Sequence, residues 1–151
     1  RFYNLRRGFP LRNSSAKIIK SGAVLMAMYG QGITRGKVAI LGIDATINQA
    51  CLAIIPKANI TKEFIYYFFV NQYEFLRSLV QEGTQKNLNA GIVKEVLISF
   101  PPLLEQQKIT SILSSIDNNI KEKQDRFQRI EFLKKSLMQD LLTGKVRVQV
   151  N

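Results

Sequence analysis

The chain contains no histidine and a single cysteine, Cys51, among its 151 residues. Without histidine, imidazole acid–base catalysis and the usual Cys/His zinc sites are excluded, and a lone cysteine cannot form an internal disulfide. No run of about 18 apolar residues occurs and no secretory leader opens the chain, so a cytoplasmic address without a membrane partner is expected. Neither GxxxxGK[ST] nor GxGxxG is present, and the eleven carboxylates are dispersed rather than clustered for two metal ions. Phe100-Pro101-Pro102 is not the Asn/Asp-Pro-Pro-aromatic pattern of amino-methyltransferases. These absences predict a non-catalytic chain with no metal and no cofactor of its own.

Acidic residues are also missing from the whole first quarter. Residues 1 to 37 hold Arg1, Arg6, Arg7, Arg12, Lys17, Lys20, Arg35 and Lys37 and no Asp or Glu, and so carry most of the formal net charge of +11. Charge concentrated in one segment suits the neutralisation of phosphates, whereas a solubility device spreads it over the surface. A solvated basic face is the plainer alternative. An anionic membrane is a poorer fit, because residues 1 to 20 show no sustained apolar helical face. The chain opens on Arg1 with no clean element start, and the reading expects an N-terminal stretch to be missing.

With 46% apolar residues the chain can build one compact core plus an appended element. Short apolar runs bounded by Gly or Pro predict strands at Ala23–Met28, Lys37–Leu41, Asn48–Ile55 and Val96–Phe100. Thr61 then reads as the N-cap of a helix running to about Gln81 and stopped by Gly83, with Phe64, Phe68, Phe75 and Leu79 near one face. The aromatic crowding there fits packing on a sheet better than base stacking, because its spacing is helical. Asn89 reads as the cap of a short helix beginning at Ala90.

From about Glu105 to Thr143 the sequence lacks both Gly and Pro, and one long helix is predicted, roughly 60 Å at 1.5 Å per residue. Ile109, Leu113, Ile116, Ile120, Phe127, Ile130, Leu137 and Leu141 fill eight of ten heptad seam positions, Lys123 and Lys134 take the other two, and Ile112 and Leu133 widen the stripe. Such a seam needs a helical partner. Seven basic and six acidic residues in this segment balance closely, which suits a protein-facing coiled coil. Gly144 is the predicted stop.

Two polar segments are candidates for contact with a polyanion. Gly30 to Lys37 joins two predicted strands as a hairpin loop, and its three glycines with Gln31, Thr34, Arg35 and Lys37 would let donors approach a phosphate closely. An ordinary exposed turn reads equally well. Gly83 to Asn89 carries Gln85, Lys86 and Asn87, and the amides of Gln85 and Asn87 are of the type that pair with adenine. For Asn48-Gln49, satisfaction of local backbone is favoured over base reading.

The order of motifs carries a family resemblance. Ser21-Gly22-Ala23-Val24-Leu25-Met26, Gly30 through Gly36-Lys37-Val38-Ala39, Asn48-Gln49-Ala50, Gly83-Thr84 with Leu88-Asn89, Phe100-Pro101-Pro102-Leu103 with Glu105-Gln106-Gln107-Lys108-Ile109, and Leu141-Leu142-Thr143-Gly144-Lys145-Val146-Arg147 together resemble the specificity subunit of type I restriction-modification systems. The resemblance spans about Ser21 to Arg147. It implies an α+β architecture: a small sheet-rich target recognition domain with packed helices (1–103), a long spacer helix (104–144) that forms an antiparallel coiled coil, and a short tail (145–151). It further implies double-stranded DNA as a partner, one half of a bipartite site read per recognition domain, and a second recognition half in the same chain or a second copy. The implied protein partners are methyltransferase subunits and restriction/translocase subunits, and S-adenosylmethionine, ATP and Mg are expected only on those partners. Residues 1 to 20 match no motif of the family, so base-contacting residues cannot be carried over. The candidates for DNA contact are Arg6, Arg7, Arg12 and Lys17 from charge, and Gln31, Thr34, Arg35, Lys37, Gln85, Lys86 and Asn87 from loop chemistry. A rival reading is a coiled-coil assembly protein whose basic segment binds anions non-specifically; salt-dependent duplex binding separates the two.

Overall fold

The computed structural model describes residues 17–30, 33–81 and 88–149. The fold class is α+β, with small antiparallel sheets, packed helices and a long C-terminal helix. Residues 1–110 form one unit and residues 111–151 a second.

In the first unit, β1 (Ile18–Ile19) pairs antiparallel with β4 (Ala45–Thr46). A second sheet has β2 (Val24–Ala27) at its centre, flanked by β3 (Val38–Ile40) and β5 (Cys51–Ile54), both antiparallel to it. Alternation along β2 decides which face is buried. Val24, Met26 and Met28 are at most 5% exposed, and the residues paired with the first two, Ile40 and Val38 on β3, Ile54 and Leu52 on β5, pack on the same cluster. The opposite face carries Leu25 and Ala27 with their partners Ala39, Ala53 and Cys51.

Against the apolar face lie α1 (Lys62–Asn71), α2 (Tyr73–Gln81) and α3 (Ala90–Lys94), which contribute Ile65 and Phe69, Leu76, and Val93, with Leu88 just ahead of α3. The N-caps are those expected. The Thr61 hydroxyl accepts from the Phe64 amide at 3.2 Å, and Asn89 Oδ1 accepts from the Ile92 amide at 3.0 Å. Phe100 rests against Phe64, ring centroids 6.0 Å apart, and α4 (Leu103–Leu142) starts after the two prolines. It ends as predicted: Gly144 takes φ +74°, and the Val146 amide donates back to the Asp140 carbonyl at 3.1 Å.

The structure corrects several expectations. The helix over 61–81 is two helices, broken at Gln72, whose φ of −85° and ψ of 5° leave the helical region. Its packed face is Ile65, Phe69 and Leu76, whereas Phe75 and Leu79 are 49% and 38% exposed. Apolar residues occupy both faces of this segment, so periodicity cannot choose between them, and the sheet takes the face one residue further on. Val96–Phe100 is not a strand. It keeps the alternation of one, with Val96 and Ile98 packed on the core and Leu97 exposed, but no described strand lies beside it to form a ladder. Asn48 lies outside β5, its side chain accepting from the Ala50 amide at 3.0 Å, so local backbone uses this side chain as expected. The two-residue strands β1 and β4 were not foreseen, being too short for a periodic signal.

Candidate nucleic-acid interface

The basic first quarter can be followed from Lys17 onward; Arg6, Arg7, Arg12, Gln31, Gln85, Lys86 and Asn87 lie outside the described residues. Lys17 is exposed at the approach to β1. Lys20 is committed to a local clasp: its ammonium donates to Asp44 Oδ2 at 2.8 Å, and Asp44 Oδ1 accepts from the Ser21 amide at 2.9 Å. These contacts hold the Asp44 carboxyl below its usual range, first through the Lys20 ammonium and then through the Ser21 amide, and raise the Lys20 amine. The clasp joins the residues following β1 to those preceding β4.

Thr34, Arg35 and Lys37 come together on the connection between β2 and β3, where the hairpin reading placed them. Thr34 and Lys37 are exposed and Arg35 is half-buried. The base of this connection is built on the sheet. The Gly36 amide donates to the Ala27 carbonyl at 2.8 Å and the Ala27 amide to the Lys37 carbonyl at 2.9 Å. The Lys37 amide also donates to the Thr34 carbonyl at 3.1 Å, which closes the turn. Donors displayed on a loop whose ends are fixed by a sheet are suited to an extended anion.

Sequence reasoning missed the two side chains that brace this loop. The Tyr73 hydroxyl donates to the Ile33 carbonyl at 2.6 Å, and Arg77 Nη1 donates to the Tyr73 oxygen at 3.0 Å. The four-residue spacing of Tyr73 and Arg77 was visible as a helical pair, but nothing local to α2 reveals a carbonyl forty residues away. Gln106, fully buried at the start of α4, was missed for the same reason.

The remaining candidates form the seam of α4. Ile109 and Leu113 are half-buried. From Ile112 onward the others are open to solvent: Ile112, Ile116, Ile120, Phe127, Ile130, Leu133, Leu137 and Leu141 lie between 42% and 61% exposed. Lys123 lies on the same face of α4 as Ile116, Ile120 and Phe127.

Cys51 is a half-buried residue of β5 whose thiol is pushed up by burial, the opposite of an activated nucleophile. Among the described residues no group of three or more His, Cys, Asp or Glu is arranged to hold a metal ion, and no helix is long and apolar enough to cross a membrane.

Comparison with known proteins adds independent findings. The family model of the type I restriction modification DNA specificity domain matches residues 6–131. Two specificity subunits of Methanocaldococcus jannaschii are similar: that of the type I restriction enzyme MjaVIII, 31% identical over 87% of this chain and 33% of its own length, and that of MjaIX, 32% identical over 80% and 28%. The specificity subunit of the Escherichia coli enzyme EcoR124I/EcoR124II is 29% identical over 70% of this chain and 27% of its own length. The chain thus spans about a third of the length of the curated relatives it matches. The fold is shared with a solved structure of a type I restriction-modification system, which covers 82% of this chain and 30% of its own at a TM-score of 0.67 and 20% identity. It is also shared with the crystal structure of the HsdS subunit from Thermoanaerobacter tengcongensis, over 82% of this chain and 30% of that one, at a TM-score of 0.62 and 16% identity. The match over residues 6–131 takes in both the sheet-and-helix unit and most of the long helix, and the chain belongs to the family of type I restriction modification DNA specificity domains.

Proposed function

We propose that this chain is a non-catalytic sequence-recognition module that reads one half of a bipartite site in double-stranded DNA. The observation that carries the reading is the β2–β3 loop, which carries exposed Thr34 and Lys37 and half-buried Arg35 on a sheet-anchored turn in a chain whose first 37 residues hold no acid. The basic segment, including Arg6, Arg7, Arg12 and Lys17, supplies phosphate neutralisation, and the loops at 30–37 and 83–89 supply contacts to base edges.

In the same reading the exposed seam of α4 is covered by a second helix of the same kind, from another recognition half of the full protein or from a second copy. The paired helices set the distance between two half-sites. The assembly docks methyltransferase subunits and restriction/translocase subunits, and S-adenosylmethionine, ATP and Mg belong to those partners. The module works in the cytoplasm, where such an assembly meets DNA.

The test is selection of duplex DNA by the full specificity protein, with and without its methyltransferase partner, from a randomised pool at two salt concentrations. A short enriched sequence, bound with an affinity that falls steeply with salt, supports the reading. Binding blind to sequence with the partner present would favour an assembly protein with a general anion-binding segment.

A further inference from the structure

The β2–β3 loop is also held from outside the sheet. Tyr73, the first residue of α2, donates its hydroxyl to the Ile33 carbonyl at 2.6 Å. Arg77, one turn along, donates to the same phenol oxygen at 3.0 Å, and its guanidinium lies 5.3 Å from the Tyr73 ring centroid. Gly36 is buried against that ring at φ +84°: a Cβ there would stand 3.6 Å from Tyr73 Cδ2 and 4.0 Å from Arg77 Cγ. The φ, more than the space, reserves the position for glycine. One side chain therefore bonds the loop at Ile33 and fills the space beside Gly36, on either side of Thr34 and Arg35.

An exposed loop carbonyl could take its hydrogen bond from water, so the Tyr73 hydroxyl adds little to folding. What it removes is freedom of the loop backbone. That matters unequally for the two kinds of DNA contact. Phosphate attraction acts over several ångströms and tolerates a mobile donor, whereas hydrogen bonds to base edges require donors placed to within about 0.5 Å.

We propose that Tyr73, backed by Arg77, is a positioning residue for sequence discrimination: it holds the Ile33–Lys37 loop in one conformation so that the loop's donors read bases rather than only neutralise phosphate. The inference rests on the DNA reading above. Tyr73→Phe removes the hydroxyl and keeps the ring against Gly36 and under Arg77. It is expected to lower affinity for the preferred duplex by about three- to tenfold, the worth of one hydrogen bond, while affinity for unrelated duplex and its salt slope hold. Arg77→Met, which keeps the apolar stem beside Gly36, shifts discrimination the same way but less.

The full specificity protein, assembled with its methyltransferase partner, is used to enrich a duplex from a randomised pool. That duplex and a shuffled one of equal composition are titrated against wild type, Tyr73→Phe, Arg77→Met and the Arg35→Ala/Lys37→Ala double variant, with thermal midpoints recorded for each. A reduced preferred-to-shuffled ratio in Tyr73→Phe at an unchanged midpoint is the expected result. If the double alanine variant loses DNA affinity while Tyr73→Phe keeps the wild-type ratio, the clamp is overturned and the DNA reading stands. A reduced ratio with a matching fall in midpoint makes Tyr73 a structural residue and also overturns the proposal. If wild type enriches no sequence, the DNA reading falls and takes this inference with it.

Discussion

Gln106 Oε1 accepts a hydrogen bond from the backbone amide of Thr61 at 3.0 Å, which ties the fourth residue of α4 to the N-cap of α1. The same side chain donates to the carbonyls of Asn59 at 3.1 Å and Pro101 at 2.9 Å and is 1% exposed. One buried amide thus satisfies three backbone groups from two other segments.

Gln106→Ala should therefore cost about 1–3 kcal/mol, since it removes three part-buried hydrogen bonds. Gln106→Glu should be at least as damaging at neutral pH, where a carboxylate faces two carbonyl oxygens. It should recover part of the loss on acidification, when the protonated oxygen can donate again. Denaturant midpoints at about pH 7 and pH 4 check this; equal losses at both would contradict the geometry.

The packed face of the α1–α2 segment gives a contrast between two phenylalanines. Phe69, 2% exposed, should cost about 3–5 kcal/mol when replaced by alanine. Phe75, 49% exposed, should cost under about 1 kcal/mol. Comparable losses would mean that the segment packs on the face predicted from sequence.

Asp44 and Lys20 supply a dependence on pH. Asp44 titrates below its ordinary range in the fold, so its contribution is fully present above that range and is lost as pH falls through the folded value. Lys20 titrates above its ordinary range, so its contribution is present at neutral pH and is lost only as pH rises through that higher value. The destabilisation caused by Asp44→Ala should thus be constant around neutral pH and shrink as pH falls below the ordinary carboxylate range. Asp44→Asn, which can still accept from the Ser21 amide, should lose less than Asp44→Ala at pH 7.

The α4 seam predicts opposite outcomes for two pairs of substitutions. Ile120→Asp with Ile130→Asp, at residues 50% and 55% exposed in the isolated chain, should weaken helix association by at least about tenfold with little change in circular dichroism. Lys123→Leu with Lys134→Leu should strengthen association and relax its register, because a lysine in the seam disfavours alignments that leave its amine without solvent or an acid. Sedimentation equilibrium on the chain of residues 1–151, where pairing needs a second copy, reads both. If association ignores the seam, another surface pairs the helices.

Much of this fold was readable locally. Thr61 and Asn89 were legible as caps, Gly144 as a stop and the Gly30–Lys37 stretch as a hairpin loop, because each depends on the chemistry of one residue or a few neighbours. The motif order from Ser21 to Arg147 was legible as a family because it needs only sequence, and the match over residues 6–131 bears it out.

Spacing along the chain was therefore enough for the strands β2, β3 and β5, the long helix α4, the charge imbalance and the apolar seam. Three-dimensional packing selected which face of the α1–α2 segment is buried, let Val96–Phe100 pack without a ladder, and brought Gln106 and Tyr73 to backbone groups forty or more residues away. Periodicity states that a face is apolar but not which competing face a sheet will accept, and a polar side chain's partner is set by three-dimensional proximity, which leaves no mark on its neighbours in sequence.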